Sequence, residues 1–237
     1  MEQLEVLYKD KDVIVVIKPE GVLSQSNRSL DYDMLNRVKN ELSKEENGDC
    51  EAYLVHRLDR PVGGIMVFAR NKKAAASLGK QLQDKTFRKK YLAVVTTKQS
   101  VEITKEPILL EHMMRRDGKT NTSQIVEGKT KAPADAKKAK LTYQVLESRE
   151  ERALLEVVLY TGRHHQIRVQ LSTVEAFGGI YGDTKYNPDF RQRKGWFQMG
   201  LFSYYLEFEH PTTKEKLCFE KLPKREPYTD FSYINEK

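Results

Sequence analysis

The longest obvious apolar run in the chain is Val13–Ile17. It is strand-length, far short of the roughly 20 residues a helix needs to cross a bilayer. A chain patterned this way must assemble its core from many short apolar segments. VIVVIKPEG, Val13–Gly21, reads as a buried strand stopped by a Pro-then-Gly turn. Leu30–Leu42 carries Leu35, Val38 and Leu42 at helical spacing, and Lys44–Asp49 reads as a polar loop. Gly64–Ala69 is a second short strand. Asn71 is placed to cap a helix with Ala74, Leu78 and Leu82 on one face. Phe87–Val95 reads as a strand. Leu141–Leu146 with Ala153–Tyr160, and Gln198–His210 with Lys214–Leu222, read as two strand pairs, the second turned at His210–Thr213. Strands dominate without a regular βα alternation, which predicts an α+β fold.

With 237 residues and 39% apolar side chains, the chain can bury a good core. The N-terminus, MEQLEVLYKD, does not resemble a signal peptide. Cys50 and Cys218 stand far apart in no metal-like spacing and read as reduced thiols of a cytoplasmic protein. The net charge of +7 favours a polyanionic partner, but only mildly. Lys129–Lys140, KTKAPADAKKAK, reads as a solvated loop, with a phosphate-contacting arm as the alternative.

Several common chemistries find no support. The chain has no GxGxxG or GxxxxGK[ST] phosphate cradle, no HExxH and no GxSxG elbow. His164 and His165 are adjacent and would diverge by about 100° on a helix, which argues against a metal pair. What remains is polar residues at strand ends. In YTGRHHQIRVQL a helix is expected after Gly162, with Ile167, Leu171 and Val174 on its apolar stripe. Arg168 lies beside that stripe, and a guanidinium pointing inward needs a carboxylate. Asp59, between Arg57 and Arg60 and just ahead of an apolar strand, is one such carboxylate. Pairing them would satisfy both charges and keep the carboxylate ionised, as a nucleophile or base requires. A buried ion pair that only organises the fold fits the same spacing.

These residues carry a resemblance. HRLDRPVGGIMVFAR is similar to the HRLDRxTSGLLLFA signature of the RluA-type RNA pseudouridine synthases. VIKPEGVL resembles that family's KPxGL, KKYLA its KxYxA and TGRHHQIRVQL its TGRxHQIRxHL. IYGDTKY resembles PIxGDxxY, and EHPTTKEKLCFEKLP the closing HP…LP segment. The motifs occur in the family's order over most of the chain. Departures are Val62–Gly63 for Thr-Ser, Gln170 for His, and Leu201–Ser203 for LHA.

The resemblance implies the pseudouridine synthase fold: a mixed, mostly antiparallel sheet with flanking helices and a central basic cleft. It implies one catalytic domain over residues 1–237, without an S4-type N-terminal RNA-binding domain. The reaction would isomerise uridine in ribosomal or transfer RNA, needing no metal and no cofactor. Asp59 matches the essential aspartate, Tyr91 the tyrosine that stacks on the base and Arg168 the aspartate's partner. Arg57 matches the arginine that fills the space left by the flipped uridine, and Leu201 a leucine near the base. Arg60 and Arg163 are expected at phosphates, with Lys89 and His56 as further candidates for RNA contact; for His56, packing is the competing reading. Lys18–Gly21 is expected to shape the site as a turn, and Asp183 to be a structural carboxylate. RNA is the expected partner, with no membrane, and the chain is expected to be a monomer. Two alternatives stay open: a non-catalytic RNA chaperone of this fold, and a nuclease using His164 or His165.

Overall fold

The structure is a computed structural model, and residues 3–26, 32–46, 50–126, 133–195 and 197–236 are described. It divides into two compact units, Met1–Lys89 with Ser203–Lys221, and Lys90–Phe202 with Leu222–Lys237. The elements run β1 (Val6–Lys9), β2 (Val13–Lys18), α1 (Met34–Glu46), β3 (Tyr53–Leu54), β4 (Gly63–Ala69), α2 (Lys72–Gln83), β5 (Arg88–Thr97) and β6 (Ile108–Asp117). They continue with β7 (Thr122–Ile125), β8 (Lys137–Ser148), β9 (Arg152–Leu159), α3 (Gln166–Ser172), β10 (Phe177–Ile180), α4 (Pro188–Arg191), β11 (Leu201–Glu209), β12 (Lys216–Glu220) and α5 (Ser232–Asn235). Strands predominate, as the α+β reading requires.

In the first unit the strand order is β1-β2-β4-β11, with β3 on β4 and β12 on β11. The β1–β2, β2–β4, β3–β4 and β11–β12 pairs are antiparallel. The central strands β2 and β4 are buried on both faces, which explains their continuous apolar runs. One face packs Val13, Val15, Ile65, Val67 and Phe208 with Ala74 and Leu78 of α2. Asn71 caps α2 by accepting the N–H of Ala74 at 2.8 Å. Gln81, on the same helix, pairs its side-chain amide with the Glu209 N–H and carbonyl, both at 2.8 Å, and so holds the end of β11. The turn at His210 is built around its ring. Nδ1 accepts the N–H groups of Thr212 and Thr213, and Nε2 meets Asp10 at 2.7 Å. Gly64 has φ +125°, and a Cβ there would sit 2.3 Å from the Ser203 carbonyl oxygen. Only glycine permits that approach between β4 and β11.

In the second unit the order is β5-β9-β8-β6-β7, with β10 on β5, and these pairs are all antiparallel. On one face α3 places Val169 against Met114, Ala139 and Ile125.

Three local expectations are corrected. α1 starts at Met34 and runs on to Glu46, so Lys44–Glu46 is helix rather than loop; Lys and Glu are good helix formers and need no apolar partner to continue one. Leu30 and residues 47–49 lie outside the described residues. In the lysine-rich segment, Lys137–Lys140 belongs to β8 and pairs with β6, since Ala139 is fully buried and gives the alternation a strand needs; residues 129–132 lie outside the described residues. α3 ends at Ser172, so Val174 falls beyond it.

Candidate functional site

In the first unit, the segment His56–Arg60 alternates inward and outward. His56 and Leu58 are buried, Arg57 and Arg60 exposed, and Asp59 is partly exposed. The backbone on both sides of Asp59 is pinned. The Ser24 hydroxyl, 4% exposed, donates to the Leu58 carbonyl at 2.8 Å and accepts the Leu58 N–H at 3.0 Å. The Arg60 carbonyl accepts from the Gly21 N–H at 2.8 Å and from Lys18 Nζ at 3.1 Å. Arg60 Nε donates back to the Gly21 carbonyl at 2.9 Å. The Val62 N–H closes a turn onto the Asp59 carbonyl. The KPEG turn therefore acts as a brace for the aspartate loop.

Lys18 is the unusual member. It is fully buried at the end of β2 and donates to the Pro19 and Arg60 carbonyls. Burial pulls its ammonium down to about 7; the nearby Asp59 charge opposes that shift and Arg60 adds to it. His56 Nε2 accepts the Val67 N–H at 3.2 Å and its ring packs on Phe87. Burial, helped by Lys89, lowers the imidazole to about 3, so the ring is neutral. Lys89, partly buried with its ammonium over the Phe87 ring, is lowered to about 8 by burial.

In the second unit, Arg168 sits on α3 at 4% exposure and grips Asp183, which is fully buried, through Nε–Oδ2 at 2.7 Å and Nη2–Oδ1 at 2.8 Å. Asp183 Oδ1 also accepts the Lys185 N–H at 2.9 Å. The expectation of a structural Asp183 and that of an inward Arg168 thus meet in one pair. The guanidinium also lies over the Tyr186 ring. The Tyr186 hydroxyl meets His165 Nδ1 at 2.7 Å and accepts the Ser123 N–H at 2.7 Å. His165 caps α3 from outside the helix, at φ 54°. Its ring stacks on His164 at 3.7 Å, so the helical divergence expected of the two does not apply. Burial, then the Arg168 charge, hold His165 far below the usual imidazole range, leaving it neutral. Tyr91 lies on β5 opposite Val157 at 5% exposure, and Leu201 opens β11 at 3%. Arg163 is exposed, with Nε donating to the Lys138 carbonyl at 2.9 Å.

Sequence reasoning missed the Ser24 clamp and the buried state of Lys18. For Lys18 a signal existed: a lysine closing a run of residues buried on both faces. A serine three residues beyond a turn carries no comparable signal.

The human RNA pseudouridylate synthase domain containing 4 superposes with a TM-score of 0.72 over 93% of this chain and 89% of its own, at 23% identity, which speaks to fold alone. The family model described as RNA pseudouridylate synthase matches residues 12–173, and the chain belongs to that family. A Bacillus subtilis relative, the uncharacterized RNA pseudouridine synthase YlyB, is 33% identical over 92% of this chain and 68% of its own length. Ribosomal large subunit pseudouridine synthase D of Nitrosomonas europaea is 30% identical over 92% of this chain and 61% of its own length. The corresponding synthase C of Pasteurella multocida is 29% identical, with 92% and 64% covered. The chain thus spans about two thirds of the length of these relatives. By family it is an RNA pseudouridine synthase, an isomerase. No helix among the described residues is long and apolar enough to cross a membrane.

Proposed function

We propose that the chain isomerises particular uridines of structured RNA, ribosomal or transfer RNA, to pseudouridine, with Asp59 as the first catalytic group. The carboxylate either attacks C1′ or removes the C2′ proton. On either route the C1′–N1 bond breaks, the uracil turns, and C5 bonds to C1′, as the C1′–aspartate ester bond breaks on the first route or as the carboxyl returns the proton to C2′ on the second. C5 then loses its proton and N1 gains one. Atoms balance without any added group or electron carrier, so the reading includes no metal or cofactor. Tyr91 is the residue we assign to stacking on the uracil, and Arg168 to the aspartate's electrostatic support. Arg57, exposed beside the pinned loop, is suited to fill the stack that the flipped nucleotide leaves. Arg60 and Arg163 meet phosphates, Leu201 packs near the base, and Lys89 and His56 support the site from within. The protein is read as acting as a single catalytic domain and a monomer, in the cytoplasm.

The observation that carries this reading is the bracing of Asp59. Both neighbouring peptide groups are fixed by Ser24, Gly21 and Lys18, which holds the aspartate's backbone in one place. Pre-set geometry of this kind is what a catalytic carboxylate needs and an RNA chaperone does not. Pseudouridine mapping of cellular RNA with and without the protein tests it. Uridines that lose the modification when the protein is absent identify the substrate. An unchanged map, together with no tritium release from C5-labelled RNA by the pure protein, would favour the chaperone reading.

A further inference from the structure

Three cations of the second unit form a connected group with no carboxylate in it. Arg116 Nη2 donates to the Asn121 side-chain oxygen at 3.0 Å, and Lys185 Nζ donates to the Asn121 carbonyl at 2.7 Å. Arg191 Nη2 donates to the Lys185 carbonyl at 3.0 Å. Arg116 and Arg191 are exposed and Lys185 is partly so. Their hydrogen-bond acceptors are all neutral, and none of the three makes an ion pair with a carboxylate among the described residues. Asp189, on α4 with Arg191, makes no ion pair with these cations among the described residues, and three other acidic groups of the unit are committed elsewhere. Asp117 folds back on its own turn, to the Lys119 N–H and the Thr120 hydroxyl; Asp135 holds Arg115; Asp183 holds Arg168. Arg193 and Lys194 continue the positive charge along the chain.

Cations gathered in one place raise the local positive potential, which repels them from one another and attracts a polyanion. Here they are gathered by the Asn121 turn, where φ is +50°, a conformation asparagine tolerates better than most residues. The arrangement suits a linear polyanion, which can place successive phosphates on successive cations.

We infer that Arg116, Lys185 and Arg191 form a phosphate-binding rail for the backbone of the RNA substrate, contacted by nucleotides outside the reacting one. This rests on the RNA-isomerase reading above and adds to it a footprint larger than a single flipped uridine. The rail supplies affinity without sequence readout and takes no part in the bond-making steps.

Binding of fluorescently labelled unfractionated tRNA, measured over a salt series, tests the inference. Removing three phosphate contacts in R116Q/K185Q/R191Q should make the slope of log K against log salt shallower by roughly 2 to 3. Tritium release at saturating RNA should be unchanged. Asn121→Asp, which keeps the turn but adds a carboxylate beside Arg116 and Lys185, should weaken binding in the same direction. A triple variant that folds and keeps the wild-type slope, or an Asn121→Asp variant that binds as wild type, would overturn the rail. Wild-type protein that binds tRNA with no salt dependence would instead overturn the RNA-backbone reading on which it stands.

Discussion

Lys18 in the first unit is 0% exposed and Arg168 in the second is 4% exposed, yet the two units accommodate a buried cation differently. Arg168 is given a bidentate carboxylate, Asp183. Lys18 is given two carbonyl oxygens and a carboxylate that acts on it through space. The chemistry of the side chains explains the difference. A guanidinium cannot shed its proton in a protein, so burial without a counter-charge would be prohibitive. An amine can, and burial moves Lys18 to about 7 instead. The Arg168 pair is therefore a fixed charge arrangement, whereas the brace under Asp59 carries a charge that varies near neutral pH.

The largest expected effect falls on the fixed pair. Asp183→Asn removes the bidentate carboxylate from a buried guanidinium and should cost about 3–5 kcal/mol of stability. A urea melt showing a loss under about 1 kcal/mol would mean that Arg168 finds adequate support elsewhere.

Lys18→Met should cost less, about 1–3 kcal/mol near pH 7, because it strips two carbonyl acceptors of a donor. Its pH signature separates it from Asp183→Asn. The folded Lys18 is lowered from 10.5 to about 7, so between those values the unfolded chain binds more protons than the folded one. Stability from this group therefore rises with pH from about 7 to 10.5 and is lost as pH falls toward 7. Lys18→Met should flatten that rise in a pH series of melts. An unchanged slope would show that Lys18 stays charged in the fold.

Ser24→Ala removes both bonds to the Leu58 backbone while adding no bulk. We expect about 1 kcal/mol of destabilisation and up to about 100-fold lower turnover if the Asp59 loop shifts by about 1 Å. RNA affinity should change little. Turnover at the wild-type level would show that the loop keeps its place without the clamp.

The smallest change in stability belongs to exposed Arg57. Arg57→Ala should stay within about 0.5 kcal/mol of wild type. Its activity should fall more on structured RNA than on an unstacked substrate, since only a stack needs refilling. Equal losses on both would assign Arg57 to phosphate binding.

Much of this was legible in the chain. The strand–turn Val13–Gly21, the Asn71-capped helix, the β8–β9 and β11–β12 pairs and the inward Arg168 follow from local period and capping. The β6–β7 hairpin was not anticipated. Ile108–Asp117 carries apolar and polar residues on both faces: Leu109 is 51% exposed on one and His112 lies among the inner positions of the other. Alternation fails there as a signal, and long-range pairing decides the structure. The braces on Asp59 were hidden for a related reason. Ser24 and Leu58 are 34 positions apart, and Lys18 and Arg60 are 42. The catalytic assignment of Asp59, Tyr91 and Arg168 came from motif resemblance rather than from pattern.

The central claim is that Asp59 is held for chemistry. Asp59→Asn nearly keeps the side chain's shape but replaces the anionic oxygen that either route needs with a neutral amide group. Tritium release from C5-labelled uridine in RNA, measured beside a thermal melt, tests this directly. The account predicts no release by a variant that melts near wild type and binds RNA as well or slightly better. Release near the wild-type rate, or residual activity that falls only in proportion to a large drop in melting temperature, would contradict it.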